Sequence, residues 1–509
     1  MNNLLIKSLC LLIIFSCTQH ENKLNIDNYT PQTDDDLMDN KTASDISELF
    51  EYLYDNNLFN GVALIYDDDQ FLFENSYGLA NVEWNISNTI DTKFEIGSVA
   101  KQFTAMLILQ LAEEDKIDLD DWVSKYIELP NDMGDSITVH QLLTHTSGLP
   151  DHSSALENYL TVHAKINYTM NERINQLSNS HLKFRPGIDW SYNGFGYSLL
   201  AEIASRITGK SIDSLYYQNI FKPLGMDNSG TYTDSKVISN RAYGYQWNSK
   251  GEVIIPEYNA NTHAKIGGGG IYSTSHDLLK WYKALYNKTL LSDNSMEKIM
   301  SPQYYFLDST GYSYGFFWDP YICNDKEYFV ISHGGSLPGT SSLVFFIPEL
   351  NQCIILLHNT GMGMEVFLNN IALEILNILN IESFENPALD VIYALAYTGL
   401  FDDVENVISQ YQYFKSNNTA NAYSFYPEQL IIGCQILQQY GKNEGIEEIL
   451  KFNINEFPDS YSTYIGLGNY YKDKELNNEA KTFYKKALKL TDEDETQRMI
   501  NQLILECDQ

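Results

Sequence analysis

Positive charge is scarce in this chain. Its 509 residues include 33 Lys and Arg against 67 Asp and Glu, a formal net charge of −34. So anionic a surface argues against nucleic acid as a partner and against electrostatic docking on anionic lipid. Cysteine is thin as well. The six residues Cys10, Cys17, Cys323, Cys353, Cys434 and Cys507 are widely and irregularly spaced, which fits no zinc site and defines no disulfide framework. The acidic runs Asp34-Asp35-Asp36 and Asp67-Asp68-Asp69 lack the ligand spacing of a hard-cation loop, and read as a solvated linker and a hairpin tip. Gly267-Gly268-Gly269-Gly270 lacks the lysine that a nucleotide loop carries. Nothing calls for a metal or another cofactor. The apolar stretch Leu9 to Phe15 is too short to span a bilayer.

That stretch has another use. Lys7 precedes it and Ser16-Cys17 closes it, which reads as an export signal over residues 1–17. Ile14-Phe15-Ser16-Cys17 resembles a bacterial lipoprotein processing site, in which Cys17 becomes the lipidated first residue. Ordinary cleavage and release is the alternative. The expected location is the bacterial cell envelope, with membrane attachment through the Cys17 lipid. An acidic segment without periodicity, residues 18–45, follows as a flexible tether. The remaining length is too great for one ordinary core, so two or more domains are expected.

Ser98 and Lys101 are the most informative pair. After them Phe103, Met106, Leu107 and Leu111 recur at helical spacing, so Ser98 opens a helix and Lys101 lies one turn on, on the same face. A serine hydroxyl becomes nucleophilic when a neighbouring amine takes its proton and a helix amino end stabilises the charge. Alone the pair means little, since a Ser-x-x-Lys match occurs by chance about once in a chain this long. The usual reading of such a match is a capped, solvated helix start.

Three later segments decide between these readings: Gln141-Leu142-Leu143-Thr144-His145-Thr146-Ser147-Gly148-Leu149-Pro150, Pro186-Gly187 through Tyr192-Asn193-Gly194 to Tyr197, and His333-Gly334-Gly335-Ser336-Leu337-Pro338-Gly339. In this order, over roughly Ser47 to Leu379, they resemble the serine β-lactamase-related family, which includes class C β-lactamases, penicillin-binding DD-peptidases, D-amino-acid peptidases and esterases. Pro223-Leu224-Gly225-Met226, Ala242-Tyr243-Gly244-Tyr245 and Gly269 to Thr274 with Asp277 match it further.

The strand pattern agrees with the fold this implies. Gly61 to Tyr66 and Phe71 to Phe73 flank an acidic turn as a hairpin, and Phe329 to Ser332, Leu343 to Phe346 and Cys353 to Leu357 read as three late strands. An early hairpin and late strands sharing one core give an α+β domain over 46–380. The resemblance implies a five-stranded antiparallel sheet flanked by helices. Beyond Pro387 the pattern turns to pure helix. Tyr464, Leu467, Gly468, Tyr471, Ala480, Tyr484 and Ala487 match tetratricopeptide spacing, and Ala388 to Tyr411, turning at Gly399, reads as an earlier helical hairpin. An all-α tetratricopeptide-like solenoid over 388–509 follows, either as a surface for a protein or peptide partner or as a cap on the hydrolase domain.

By the resemblance Ser98 is the nucleophile, Lys101 the base and Tyr192 the relay to the leaving group. His333 stands where many relatives carry the lysine of Lys-Thr-Gly. Gly334 and Gly335, on an expected edge strand, let substrate approach the backbone. The amides of Ser98 and Ser336 form the oxyanion hole. His145 reads as structural. One position departs: the family's Tyr-x-Asn has Gly194 in place of the asparagine. Either Asn193 takes over its contact with a substrate amide, or that contact is absent. The reading is an exported serine hydrolase that cleaves an ester or amide bond in a small molecule or peptide. The alternative is a non-catalytic scaffold that keeps the pocket to bind a partner.

Overall fold

The computed structural model describes residues 40–55, 59–150, 168–232, 236–247, 253–254, 266–306, 310–323, 326–360, 365–380, 389–390, 405–416, 423–439, 443–491 and 494–507. The export signal, Cys17 and most of the expected tether lie outside them, as do Pro387, Ala388 and Gly399. The described residues fall into two compact units divided between Phe384 and Glu385.

The first unit opens with α1 (Asn40–Asp55). The expected tether therefore ends earlier than residue 45. Ile46, Leu49, Phe50 and Leu53 recur at helical spacing and are buried, and that apolar stripe fixes the segment as helix. The hairpin forms as expected: β1 (Gly61–Asp67) and β2 (Gln70–Tyr77) pair antiparallel. Asp68 and Asp69 turn between them at φ of 42° and 68°, the positive pair that a type I′ hairpin turn needs.

Four further helices carry or support the site: α2 (Ala100–Glu113), α3 (Val139–Leu143), α4 (Gly194–Thr208) and α5 (Ser275–Tyr286). The sheet resumes with β3 (Tyr304–Tyr305), β4 (Gly311–Tyr312), β5 (Phe317–Cys323), β6 (Lys326–Leu337), β7 (Thr340–Ile347) and β8 (Gln352–His358). All neighbours are antiparallel, in the order β3-β4-β5-β6-β7-β8-β1-β2. The sheet has eight strands rather than five, partly because β3 and β4 add two-residue rungs beyond β5.

β7 and β8 are buried along their whole length, which is why they read as continuous apolar runs rather than alternating ones. Val62, Leu64, Tyr66, Val344, Phe346, Ile355 and Leu357 share one core with Phe103, Leu278 and Trp281 of α2 and α5. Toward the other face α6 (Glu365–Asn380) packs on β6, β7 and α1. With β1 next to β8, amino- and carboxyl-terminal parts of the unit close one sheet.

The second unit contains α7 (Glu405–Ser416), α8 (Glu428–Gln439), α9 (Ile446–Glu456), α10 (Tyr461–Asp473), α11 (Asn477–Ala487) and α12 (Asp494–Glu506). It is not pure helix, because Leu389–Asp390 pairs in parallel with Tyr423–Ser424. Three residues join α10 to α11, and the two helices form a close hairpin. Ala480, Tyr484 and Ala487 are buried along its seam, where a methyl at Gly468 would lie 2.5 Å from the Tyr484 ring.

Candidate active site

Ser98 sits where a strand hands over to a helix. Phe94–Glu95 pairs with Tyr272–Ser273, and the Ile96 amide donates to the Ile271 carbonyl at 3.0 Å. A 3-10 turn, Gly97–Val99, then leads straight into α2. Gly97 has φ 50°, and a methyl there would lie 2.9 Å from the Ser336 amide nitrogen. Glycine alone satisfies both constraints. This close approach brings the backbones of Ser98 and Ser336, the expected oxyanion pair, to one corner.

The register of β6 makes that approach available. Its pairing with β5 ends at Ser332, opposite Phe317, while His333 to Leu337 pair only with β7. The expected edge strand is thus internal as far as Ser332 and one-sided beyond it. Gly334 and Gly335 lie on this overhang, and Gly335 packs against the Ile96 carbonyl, which also accepts from Ser342 Oγ at 2.8 Å.

α2 is buried on nearly every side and carries Lys101 in with it, leaving the side chain 1% exposed. Lys101 Nζ donates to Ser98 Oγ at 2.9 Å and to the Gly268 carbonyl at 2.8 Å. It lies 4.7 Å from the centre of the Tyr192 ring. Nucleophile and amine from one segment therefore meet the phenol from another.

Asn193 does not take the contact missing at Gly194. It is the N-cap of α4 and is buried. Its Oδ1 accepts from the Gly196 amide at 2.8 Å, and its Nδ2 donates to the Leu149 carbonyl at 2.7 Å. Capping a helix that starts at Gly194 turns the amide into the fold. Gly194 itself lies against the Gly267-Gly268 segment: a methyl at Gly268 would sit 2.7 Å from the Gly194 carbonyl oxygen.

His333 is brought beside Tyr192, with ring centres 6.1 Å apart, but both its nitrogens are engaged elsewhere. Nδ1–H donates to the Gly334 carbonyl at 2.6 Å, and Nε2 faces the Tyr312 hydroxyl at 3.4 Å. Burial first, then the Lys101 charge, pushes its pKa down to about 3. In this arrangement the imidazole is neutral, with its two nitrogens turned to Gly334 and Tyr312. His145 is structural, as read from sequence. The Asn193 amide donates to its Nδ1 at 3.1 Å, so its proton sits on Nε2 and is donated to Tyr312 at 3.1 Å.

Sequence reasoning missed Gly268, whose backbone carbonyl leaves no side-chain signature, and Tyr312. Gly311-Tyr312-Ser313-Tyr314-Gly315-Phe316-Phe317 is dense in aromatics between glycines, and that density was the available signal. A hydroxyl, a buried amine, a phenol and two converging amides are the groups acyl transfer requires.

Comparison with known proteins covers the segment that carries these residues. The family model described as Beta-lactamase matches residues 46–376. Penicillin-binding protein 4* of Bacillus subtilis (strain 168) is 29% identical over 327 residues, covering 62% of this chain and 71% of that protein. Teichoic acid D-alanine hydrolase of Staphylococcus aureus (strain MRSA252) is 30% identical over 269 residues, covering 52% and 64%. The crystal structure of a penicillin-binding protein from Bacillus halodurans superposes with a TM-score of 0.57 at 26% identity, over 66% of this chain and 99% of that one. The chain belongs to the β-lactamase family and is a serine hydrolase built on its α+β fold.

Proposed function

We propose that this hydrolase is acylated on Ser98 by an ester or amide, peptide-like or lactam-like, and that water then releases the acyl group. The observation that carries the reading is the buried Lys101 amine 2.9 Å from Ser98 Oγ. In its neutral form the amine takes the hydroxyl proton as Oγ bonds to the acyl carbon. The Ser98 and Ser336 amides stabilise the oxyanion. Tyr192 gives a proton to the departing alcohol or amine and regains one from Lys101. The reverse transfers activate the water that cleaves the acyl-enzyme.

Gly194 bears on substrate choice. It supplies no side-chain donor for an acyl-amide carbonyl, and Asn193 is committed to the helix cap. A carbonyl left poorly paired costs about 1–3 kcal/mol. Simple esters, which lack that carbonyl, are favoured over β-lactams. The similarity to a teichoic acid D-alanine hydrolase supports a D-alanyl donor. Lys7, the apolar stretch and Cys17 support export and lipid anchoring in the cell envelope, and the Tyr464 to Ala487 pattern supports a tetratricopeptide-like surface for a peptide or protein.

The test is chemical labelling. Ser98→Ala should abolish ester turnover and labelling by an activated phosphonate while circular dichroism is unchanged. Labelling that persists on another serine defeats the assignment.

A further inference from the structure

Gly267 and Gly268 are pinned between two helices. They lie in a turn whose ends, Ile266 and Gly269, bridge each other. Gly267 has φ 100°, and a methyl there would lie 2.4 Å from the Tyr197 carbonyl oxygen and 2.7 Å from Ala201 Cβ, so α4 presses directly on the turn. α2 grips the same turn by its carbonyls. Lys101 and Thr104, one helical turn apart, reach successive ones: Nζ donates to Gly268 at 2.8 Å, and Thr104 Oγ1 donates to Gly267 at 2.6 Å.

The direction of the second bond follows from its neighbours. Thr104 is buried, and its hydroxyl has one proton to give. Oγ1 lies 2.6 Å from the Tyr216 hydroxyl, 2.6 Å from the Gly267 carbonyl and 3.5 Å from the Ala100 carbonyl. Were Thr104 to donate to Tyr216, two bare oxygens would face each other 2.6 Å apart at Gly267. Thr104 therefore donates to Gly267, and Tyr216 donates to Thr104. Burial raises the Tyr216 phenol above its ordinary range, so it keeps the proton for this bond. Tyr216 ends the short helix Ile212–Tyr216, and its ring stands 6.0 Å from that of Phe221, which meets Phe103 of α2 at 5.6 Å. The core fixes the ring, and the ring fixes the hydroxyl that directs Thr104.

We propose that Thr104, backed by Tyr216, is a positioning residue for Lys101: the two hydroxyls hold the Gly267-Gly268 turn so that the Gly268 carbonyl stays on the amine while the amine takes the Ser98 proton. The inference rests on the reading of Lys101 as the base for Ser98. A carbonyl that accepts from the amine favours the ammonium formed in that step. It also keeps the amine within reach of Oγ. Loosening the turn should therefore move the acid limb of acylation to lower pH and lower its plateau. The other groups around the amine are left in place: Tyr192 and Tyr197, with ring centres 4.7 and 5.7 Å away, and His145 and His333, which burial keeps neutral.

Single-turnover acylation of the full-length protein by 4-nitrophenyl acetate, followed from about pH 5 to 10, tests this. Attack by Ser98 Oγ breaks the ester C–O bond, acetylates the serine and releases one 4-nitrophenol. Thr104→Val keeps the branched shape and loses the hydroxyl. Its acid limb should move down by about half a pH unit or more, the scale of one lost hydrogen bond. Its plateau should fall about threefold or more, the same scale read as a rate. Thr104→Ser should return both to the wild-type values. Tyr216→Phe should move the limb the same way by a smaller step, because Thr104 keeps its own proton for Gly267. A residue serving the fold alone would change the melting temperature and the fraction of Ser98 that an activated phosphonate labels, without moving the limb. An unmoved limb in either variant, or no recovery in Thr104→Ser, overturns the inference and leaves the hydrolase standing. Where Thr104→Val does not fold, Tyr216→Phe decides alone. Failure of the wild-type protein to acetylate Ser98, read by mass spectrometry, overturns the hydrolase reading and this inference together.

Discussion

Lys101 and Gly268 show how much a single position can carry here. Lys101→Arg keeps a cation but offers no neutral amine near neutral pH. Single-turnover acylation by an activated ester should fall about a hundredfold or more, the scale of a lost general base. Near-wild-type acylation would move the base role to Tyr192. Gly268→Ala tests the other partner of the amine. Its methyl would lie 2.7 Å from the Gly194 carbonyl, so the segment must shift and take the Lys101 acceptor with it. We expect a loss of about 1–3 kcal/mol in denaturant titration, with slower acylation. A stable variant of normal rate would show that the Gly268 carbonyl does not position Lys101.

Among elements, β6 and the α10–α11 hairpin are the most constrained. β6 serves as a sheet strand up to Ser332 and as a site wall beyond it, because β5 stops pairing there. The hairpin depends on small residues that let two helices approach. Gly468→Leu would drive a side chain into Tyr484, which is buried. Overpacking of this kind costs about 1–3 kcal/mol. The helical unit should melt earlier by circular dichroism while ester hydrolysis, housed in the other unit, is retained. An unchanged melt would mean that the seam has slack.

For the whole molecule the buried histidines set a pH dependence. Burial lowers His333 to about 3 and His358 to about 4, and it pushes His145 well below the ordinary value. Unfolded, all three take up protons near pH 6.5. Between about pH 6.5 and 4 the unfolded chain therefore binds more protons than the folded one, and stability falls as pH falls, by up to about 1.4 kcal/mol per pH unit for each proton. His276, raised by Glu74, acts in another window: its contribution is present below 6.5 and is lost as pH rises through its raised value. The midpoint of thermal unfolding should therefore drop on acidification from pH 6.5 to 4.5. A flat profile would show that the buried imidazoles accept protons in place.

The sequence by itself determined what local pattern can encode. The Ser98–Lys101 spacing, the apolar runs of β1, β7 and β8, and the hairpin at Asp68-Asp69 depend on neighbours a few residues apart, and each formed. The family resemblance supplied the order of the motifs. Tertiary structure decided which way side chains and carbonyls face. Asn193 was legible as a residue next to Gly194, but its direction was set by the start of α4 at Gly194. His333 was legible as a lysine replacement, yet its tautomer was fixed by the Gly334 carbonyl, which accepts from its Nδ1. The Gly268 carbonyl contacts Lys101 across 167 residues of chain. Spacing records periodicity within one element. The orientation of a hydrogen bond depends on which distant elements the core brings together, and only the closed sheet between its two layers of helices fixes that.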